Sequence, residues 1–200
     1  PENPYYNNSL AYAYIKAELY DDAIEYYQLA IKLNPDAEWT SIVCHALGAI
    51  YAEVKNNFDA AEATFNAGMV LDPKNVDIQL SLGDLYMAQG DLDKAIKTYC
   101  DAISVEPENY LTYAKTGLAL WEKDYLEEAI VAFHKSIELN PEFEIAQNNL
   151  GVVYLDGIGD PKESIEYFKN AININPNYTL AYFNLGRAYQ ATGDKALAAE

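Results

Sequence analysis

The chain has 200 residues, of which 50% are hydrophobic and 22% are charged, and its formal net charge is -18. This composition is typical of a folded chain and argues against intrinsic disorder. The negative charge repels phosphate backbones and anionic lipids, so neither nucleic-acid binding nor direct membrane binding is expected. We expect protein or peptide partners that are neutral or basic.

The cysteines are informative about the cellular compartment, and the chain ends about the extent of the sequence. Cys44 and Cys100 are far apart and form no CxxC motif, which favours buried thiols in a reducing compartment over a disulfide or a metal site. We therefore predict a cytoplasmic protein with no metal and no cofactor. No apolar run approaches the roughly 18 residues of a membrane span. The chain starts at Pro1 without Met and stops at Glu200 inside a predicted helix, so we expect a fragment of a longer protein.

Prolines recur along the chain at an almost constant spacing. Pro35, Pro73, Pro107, Pro141 and Pro176 are separated by 38, 34, 34 and 35 residues. Proline lacks a backbone N–H and disfavours helical geometry in the residue before it, so each proline should end one helical run. The spacing predicts a repeated helical unit of about 34 residues.

Alignment on these prolines gives five repeats and a truncated sixth. In chain order they cover residues 4–37, 41–75, 76–109, 110–143, 144–178 and 179–200. Each contains two amphipathic runs of helical period joined by a short turn, such as QGD at 89–91 or TGD at 192–194. Repeat two carries an extra residue in its turn (KNNFDAA, 55–61) and three added residues, 38–40, before it. Repeat five carries one extra residue near its GIGD turn.

Small residues recur at three positions of the unit. The eighth position holds Ala11, Gly48, Gly83, Gly117, Gly151 and Gly186. The start of the second helix holds Ala23, Ala61, Ala95, Ala129, Ser164 and Ala198. Seven residues further along stand Ala30, Gly68, Ala102, Ser136 and Ala171. A minimal side chain at a crossing lets two helices approach closely, so these positions predict tightly packed antiparallel helix pairs with aromatic residues filling the core.

The pattern Leu-Gly-x-x-Tyr, as in Leu82 to Tyr86, followed by a small residue, an aromatic residue and a proline, resembles the tetratricopeptide repeat. The resemblance covers the chain from Pro4 to Glu200. It implies an all-α fold in which about 5.5 repeats stack as one array, a right-handed solenoid or superhelix whose concave groove is lined by the first helices. Repeat five, through LGVVYLDGIGDPKES, is also similar to Sel1-like repeats.

The resemblance places certain positions of each first helix in the groove. We predict that these side chains bind an extended partner segment: Tyr12, His45, Leu80, Asp84, Met87, Lys115, Leu118, Trp121, Asn148, Asn149, Val152, Asp156, Phe183, Asn184 and Arg187. Trp121 is the strongest candidate, and packing against the neighbouring helix is the alternative interpretation. Asn149 and Asn184 occupy equivalent positions in successive repeats and resemble rungs of the asparagine ladder in O-linked N-acetylglucosamine transferases.

Neither the carboxylate clamp found in some members of this family nor catalysis is predicted for this chain. Chaperone-binding members of the family hold a C-terminal acid in a carboxylate clamp, but here the matching positions are Asn8, Tyr12, Ala46, Asp77 and Ser81. Catalysis is not expected either, because His45 and His134 lie in different repeats and on different faces. 

The resemblance thus implies a non-catalytic scaffold that binds a peptide or protein segment in its groove. Two alternatives remain open: an arm that recruits substrate for a larger enzyme such as a glycosyltransferase, and a module that self-associates through an exposed repeat edge.

Overall fold

The structure is a computed structural model that describes residues 2–33 and 36–193. These residues form eleven α-helices and no strand, so the predicted all-α fold is confirmed. Pro35, Asp194 and Ala198, which belong to the repeat pattern, lie outside the described residues, as does the sixth repeat beyond Gly193.

The helices fall into two compact units that divide between Asp91 and Leu92. The N-terminal unit contains α1 (Pro4–Lys16), α2 (Tyr20–Leu33), α3 (Ala37–Ala49), α4 (Phe58–Leu71) and α5 (Val76–Gln89). The C-terminal unit contains α6 (Leu92–Val105), α7 (Tyr110–Glu122), α8 (Leu126–Leu139), α9 (Glu144–Val152), α10 (Pro161–Ile174) and α11 (Thr179–Thr192). Within each unit, helices adjacent in the chain pack against one another, and the first helices of successive repeats also meet, α3 with α5 and α9 with α11.

The predicted helix boundaries agree with the structure where the prolines are described. Pro73, Pro107, Pro141 and Pro176 each lie two residues beyond a helix end. Asparagine caps two of the helices that follow, α5 and α7; the Asn75 side chain, for example, accepts a hydrogen bond from the Ile78 backbone N–H at 3.1 Å. Such a cap satisfies an N–H group that the helix itself leaves unpaired.

The small residues lie at helix crossings, as predicted. Gly117 and Gly151 face the buried rings of Phe133 and Phe168, and a Cβ atom added to either glycine would lie within 3.0 Å of the ring. Gly48 faces Phe65 in the same way. An aromatic ring therefore rests directly on the backbone of the facing helix, and this contact is the repeating element of the core.

The extra residues of repeats two and five lie in the first helices rather than in the predicted turns. Helix α3 continues as a π-helical turn over Ile50–Val54, and α9 continues as one over Val153–Ile158. A π-helical turn accommodates one added residue while keeping the backbone hydrogen-bonded, here from the Lys55 N–H to the Ile50 carbonyl at 3.1 Å. The added residues 38–40 likewise form the first turn of α3 rather than a loop.

Candidate peptide-binding surface

In the N-terminal unit, the predicted groove residues differ widely in exposure. Tyr12 on α1 is 56% exposed, and Asp84 on α5 is also exposed. His45 and Met87 are half-buried, and Leu80 is almost fully buried at 8% exposure. The ring of Tyr12 is therefore accessible to solvent over more than half of its surface.

In the C-terminal unit, Lys115, Leu118 and Trp121 are half-buried on α7. Leu118 and Trp121 pack against the core cluster that contains Phe133 and Leu150. This contact corresponds to the alternative interpretation of Trp121, in which the ring packs against neighbouring helices. Only the exposed part of the indole remains available to a partner.

The remaining predicted residues lie on α9, its π-helical turn and α11. Phe183 is 64% exposed, Asp156 is exposed, and Val152 and Arg187 are half-buried. Asn148 and Asn184 are buried, at 1% and 4% exposure, and Asn149 is half-buried.

The asparagines form a side-chain network rather than a row of separate amides. Asn184 donates through Nδ2 to Oδ1 of Asn148 at 3.0 Å, and Asn148 donates through Nδ2 to Oδ1 of Asn149 at 3.3 Å. Arg187 donates to Oδ1 of Asn184 at 3.4 Å and to both carboxylate oxygens of Asp156 at 2.8 and 3.2 Å. Asn149 is the residue equivalent to Asn184. The contact between the repeats is made by Asn148, one position earlier.

The N-terminal unit contains a polar contact in the same register. His45 Nε2 lies 2.9 Å from the Ser81 hydroxyl oxygen, and these residues are 36 positions apart, as are Asn148 and Asn184. The fifth position of one repeat therefore meets the sixth position of the next in both units. The shared register means that side chains at other equivalent positions can be compared between the units.

The two histidines and the two cysteines are not arranged as a catalytic pair. His134 is exposed on α8 with its ring edge toward Tyr167, and His45 is paired with Ser81. Burial raises the pKa of the Cys44 thiol, and partial desolvation together with the nearby Asp101 carboxylate raises the pKa of the Cys100 thiol, so neither is an activated thiolate. The side chain of Cys44 is buried as predicted, whereas Cys100 is exposed, because its position on α6 points away from the core.

Residues 2–33 and 36–193 contain neither a candidate metal site nor a membrane-spanning helix. No group of three or more His, Cys, Asp or Glu side chains could hold a metal ion there. None of the helices in this part of the chain has the length and apolar character needed to cross a membrane.

Comparison with known proteins identifies the repeats. A family model described as TPR repeat matches residues 83–124 and 158–193, and two models described as tetratricopeptide repeat match residues 4–37 and 112–143. The similarity of repeat five to Sel1-like repeats stays a prediction.

The similar proteins include a curated receptor and a protein of solved structure. The peroxisomal targeting signal receptor of Eremothecium gossypii is 38% identical over 101 residues, which are 50% of this chain and 17% of the receptor. This chain thus spans less than a fifth of that relative. The crystal structure of MamA is 30% identical with a TM-score of 0.68 and is matched over 76% of this chain and 88% of MamA.

A third match extends along nearly the whole chain. A tetratricopeptide repeat protein from Parabacteroides merdae is 20% identical with a TM-score of 0.83, over 98% of this chain and 76% of that one. At this identity the match demonstrates the fold alone. Together, the family models and MamA show that this chain belongs to the tetratricopeptide repeat family.

Proposed function

We propose that this chain is a non-catalytic scaffold that binds an extended segment of a partner protein along the first helices of its repeats. Tetratricopeptide repeats imply a role in protein–protein interaction, and the relative from Eremothecium gossypii is named as the receptor of a targeting signal. The observation that carries the proposal is the exposure of Tyr12 and Phe183. Both rings lie on first helices, and folding leaves more than half of each exposed.

The charge of the chain indicates the class of partner. Acidic residues number 31 against 13 Lys and Arg, and several basic side chains are already paired with acids. Lys55 bonds Asp21 at 2.6 Å, and Arg187 bonds Asp156. The remaining excess of carboxylates favours a neutral or basic partner segment. The two free thiols support our further proposal of a cytoplasmic location.

Selection from a displayed library of unstructured peptides tests this function, followed by affinity measurement on the selected peptides. The double variant Tyr12→Ala, Phe183→Ala should lose most of the affinity, because exposed aromatic side chains commonly act as anchors. The matched control is Val70→Ala, Val131→Ala, which removes apolar side chains that are 81% and 69% exposed on second helices. Equal affinity of the two double variants, or failure to select any peptide, would contradict the proposal.

A further inference from the structure

A broad apolar groove lies between the second helices α6 and α8 of the C-terminal unit. Its volume is about 520 Å³. Ile103 of α6 and Val131 and Ala132 of α8 line its sides, and Tyr113 and Thr116 of α7 line its floor. Ligand pockets usually have volumes of about 300–1,000 Å³, so the groove is large enough to hold a bulky side chain. We call it the α6–α8 groove.

The groove exists because repeat four has small residues where other repeats have large ones. The seventh position is leucine in the other five repeats and Thr116 in repeat four, and the eleventh is tyrosine in the other five and Leu120 here. Ala132 is the third residue after the small residue near the start of the second helix. The same position holds Tyr26 in repeat one and Tyr167 in repeat five. Because Thr116 and Ala132 both line the groove, their small side chains leave it open.

In repeat five, a tyrosine ring lies in the corresponding place between α8 and α10. The ring of Tyr167 stacks on Tyr154 with ring centroids 5.3 Å apart, and the ring of His134 on α8 lies 6.1 Å from it. In repeat one, Tyr26 stacks on Tyr14 in the same way, also at 5.3 Å. An aromatic ring is therefore the group that other repeats place at the position that is alanine in repeat four.

The rim of the groove is charged, and its net charge is negative. Glu127 and Glu128 lie on the rim in the first turn of α8, and both are exposed. Lys135 also lies on the rim, but it bonds Glu138 at 2.7 Å, so its positive charge is already offset. An apolar centre with a polar rim is typical of protein interfaces. The two rim carboxylates favour a partner segment that carries basic residues beside its apolar side chain.

We propose that the α6–α8 groove binds an aromatic side chain of a partner protein, in a segment that has lysine or arginine next to the aromatic residue. The ring takes the place that Tyr167 takes between α8 and α10, and the basic residues pair with Glu127 and Glu128. The walls of this site differ from the side chains predicted to bind along the first helices. The groove is therefore a second contact with a partner, and it does not depend on the proposed function.

The binding test uses the whole chain and short peptides. Titration with acetyl-Lys-Tyr-Lys-amide should shift the methyl signals of Ile103, Val131 and Ala132 in nuclear magnetic resonance spectra in a saturable way. Acetyl-Lys-Leu-Lys-amide should bind at least about fivefold more weakly, because it lacks the ring. Acetyl-Glu-Tyr-Glu-amide should also bind at least about fivefold more weakly, because its acids meet Glu127 and Glu128. If either control peptide bound as tightly as the first, the proposal would be wrong.

Two variants locate the peptide in the groove. Ala132→Tyr fills the groove from within, as Tyr167 does between α8 and α10, and should weaken binding at least about tenfold. Val70→Tyr adds the same side chain at an exposed position on α4; it is the matched control and should leave the affinity unchanged. Val131→Ser removes part of the apolar wall at a position that is 69% exposed, so it should fold normally and weaken the peptide about threefold. Retained affinity in Val131→Ser would overturn the proposal even if Ala132→Tyr failed to fold.

Other occupants of the groove would give different results. A second copy of this chain would shift the same methyl signals as the protein concentration rises without peptide, and light scattering would detect the dimer. A site for a free aromatic ligand would bind acetyl-tyrosine amide as tightly as acetyl-Lys-Tyr-Lys-amide. Either result would contradict the proposal.

Failure of this inference can be distinguished from failure of the proposed function. Tyr12→Ala, Phe183→Ala should bind acetyl-Lys-Tyr-Lys-amide as the wild type does, and a loss of affinity would overturn this inference. Because Val131 lines the groove, a library peptide that is weakened by Val70→Ala, Val131→Ala but not by Tyr12→Ala, Phe183→Ala binds here and not along the first helices. Such peptides would support this inference and contradict the proposed function. If acetyl-Lys-Tyr-Lys-amide does not bind, this inference is wrong, and the library peptides decide the proposed function alone.

Discussion

The Asn184 side chain donates a hydrogen bond through Nδ2 to the side-chain oxygen Oδ1 of Asn148 at 3.0 Å, and both residues are buried between α9 and α11. The bond joins the first helices of two successive repeats. It also occupies amide groups that the repeat pattern predicts to bind a partner. At 1% and 4% exposure, Asn148 and Asn184 offer a partner backbone almost no accessible surface.

Removal of the Asn184 amide should therefore destabilise the C-terminal unit. In Asn184→Ala, Oδ1 of Asn148 stays buried without its donor, and a buried group that loses its partner costs about 1–3 kcal/mol. Asn149→Ala is the matched control, because Asn149 is half-buried and only accepts the longer bond of 3.3 Å. Urea unfolding measures the free energy of unfolding of both variants. Equal losses in the two variants would show that the buried bond of Asn184 contributes no more than the longer bond of Asn149.

Enlargement of Gly151 should force α9 away from α10. A Cβ atom at this position would lie 2.7 Å from the Phe168 ring, so Gly151→Ala should cost about 1–3 kcal/mol through overpacking. A smaller side chain in place of the Phe168 ring should relieve part of that cost. The double variant Gly151→Ala, Phe168→Leu should be destabilised by less than the sum of the single variants in thermal or urea unfolding. Strict additivity would mean that the two side chains do not meet.

The ion pair of Asp156 and Arg187 should contribute little to stability. Both side chains are more than a third exposed, and exposed pairs of this kind are typically worth about 0.2–1 kcal/mol. A double-mutant cycle with Asp156→Ala and Arg187→Ala should give a coupling energy in that range, and the energy should fall as salt is added. A coupling of several kcal/mol that does not depend on salt would contradict this assignment.

The stability of the N-terminal unit should fall at alkaline pH through Tyr86. Burial, together with the hydrogen bond from its hydroxyl to Glu62 at 2.9 Å, raises the pKa of Tyr86 to about 12. The unfolded chain releases this proton near pH 10, whereas the folded chain keeps it up to about pH 12, so the stabilisation is complete below about pH 10 and is lost as pH rises.

Comparison of wild type with Tyr86→Phe isolates this effect. Between about pH 10 and 12, the free energy of unfolding of the wild type should fall more steeply, by at most about 1.4 kcal/mol per pH unit. Tyr6→Phe, at a position that is 59% exposed, is the control and should follow the wild type. Parallel curves for wild type and Tyr86→Phe would refute the prediction.

Local sequence patterns are sufficient to predict the repeat, the helix pairs and the positions that form the core. Proline spacing, small residues at fixed positions and aromatic residues between them are local patterns with a direct physical meaning. For that reason the close approach of two helices at Gly117 and at Gly151 could be predicted, whereas the rings that they meet, Phe133 and Phe168, are seen in the structure.

How the side chains of neighbouring repeats meet depends on the packing of the helices in three dimensions and could not be predicted. The sequence predicts the extra residues of repeats two and five in or near the turns, but they widen α3 and α9 into π-helical turns and so change the rotation of the residues that follow. Adjacent helical residues point about 100° apart, so the rotation of α9 about its axis decides whether Asn148 or Asn149 reaches Asn184. The packing of α11 in turn places Arg187 against Asp156.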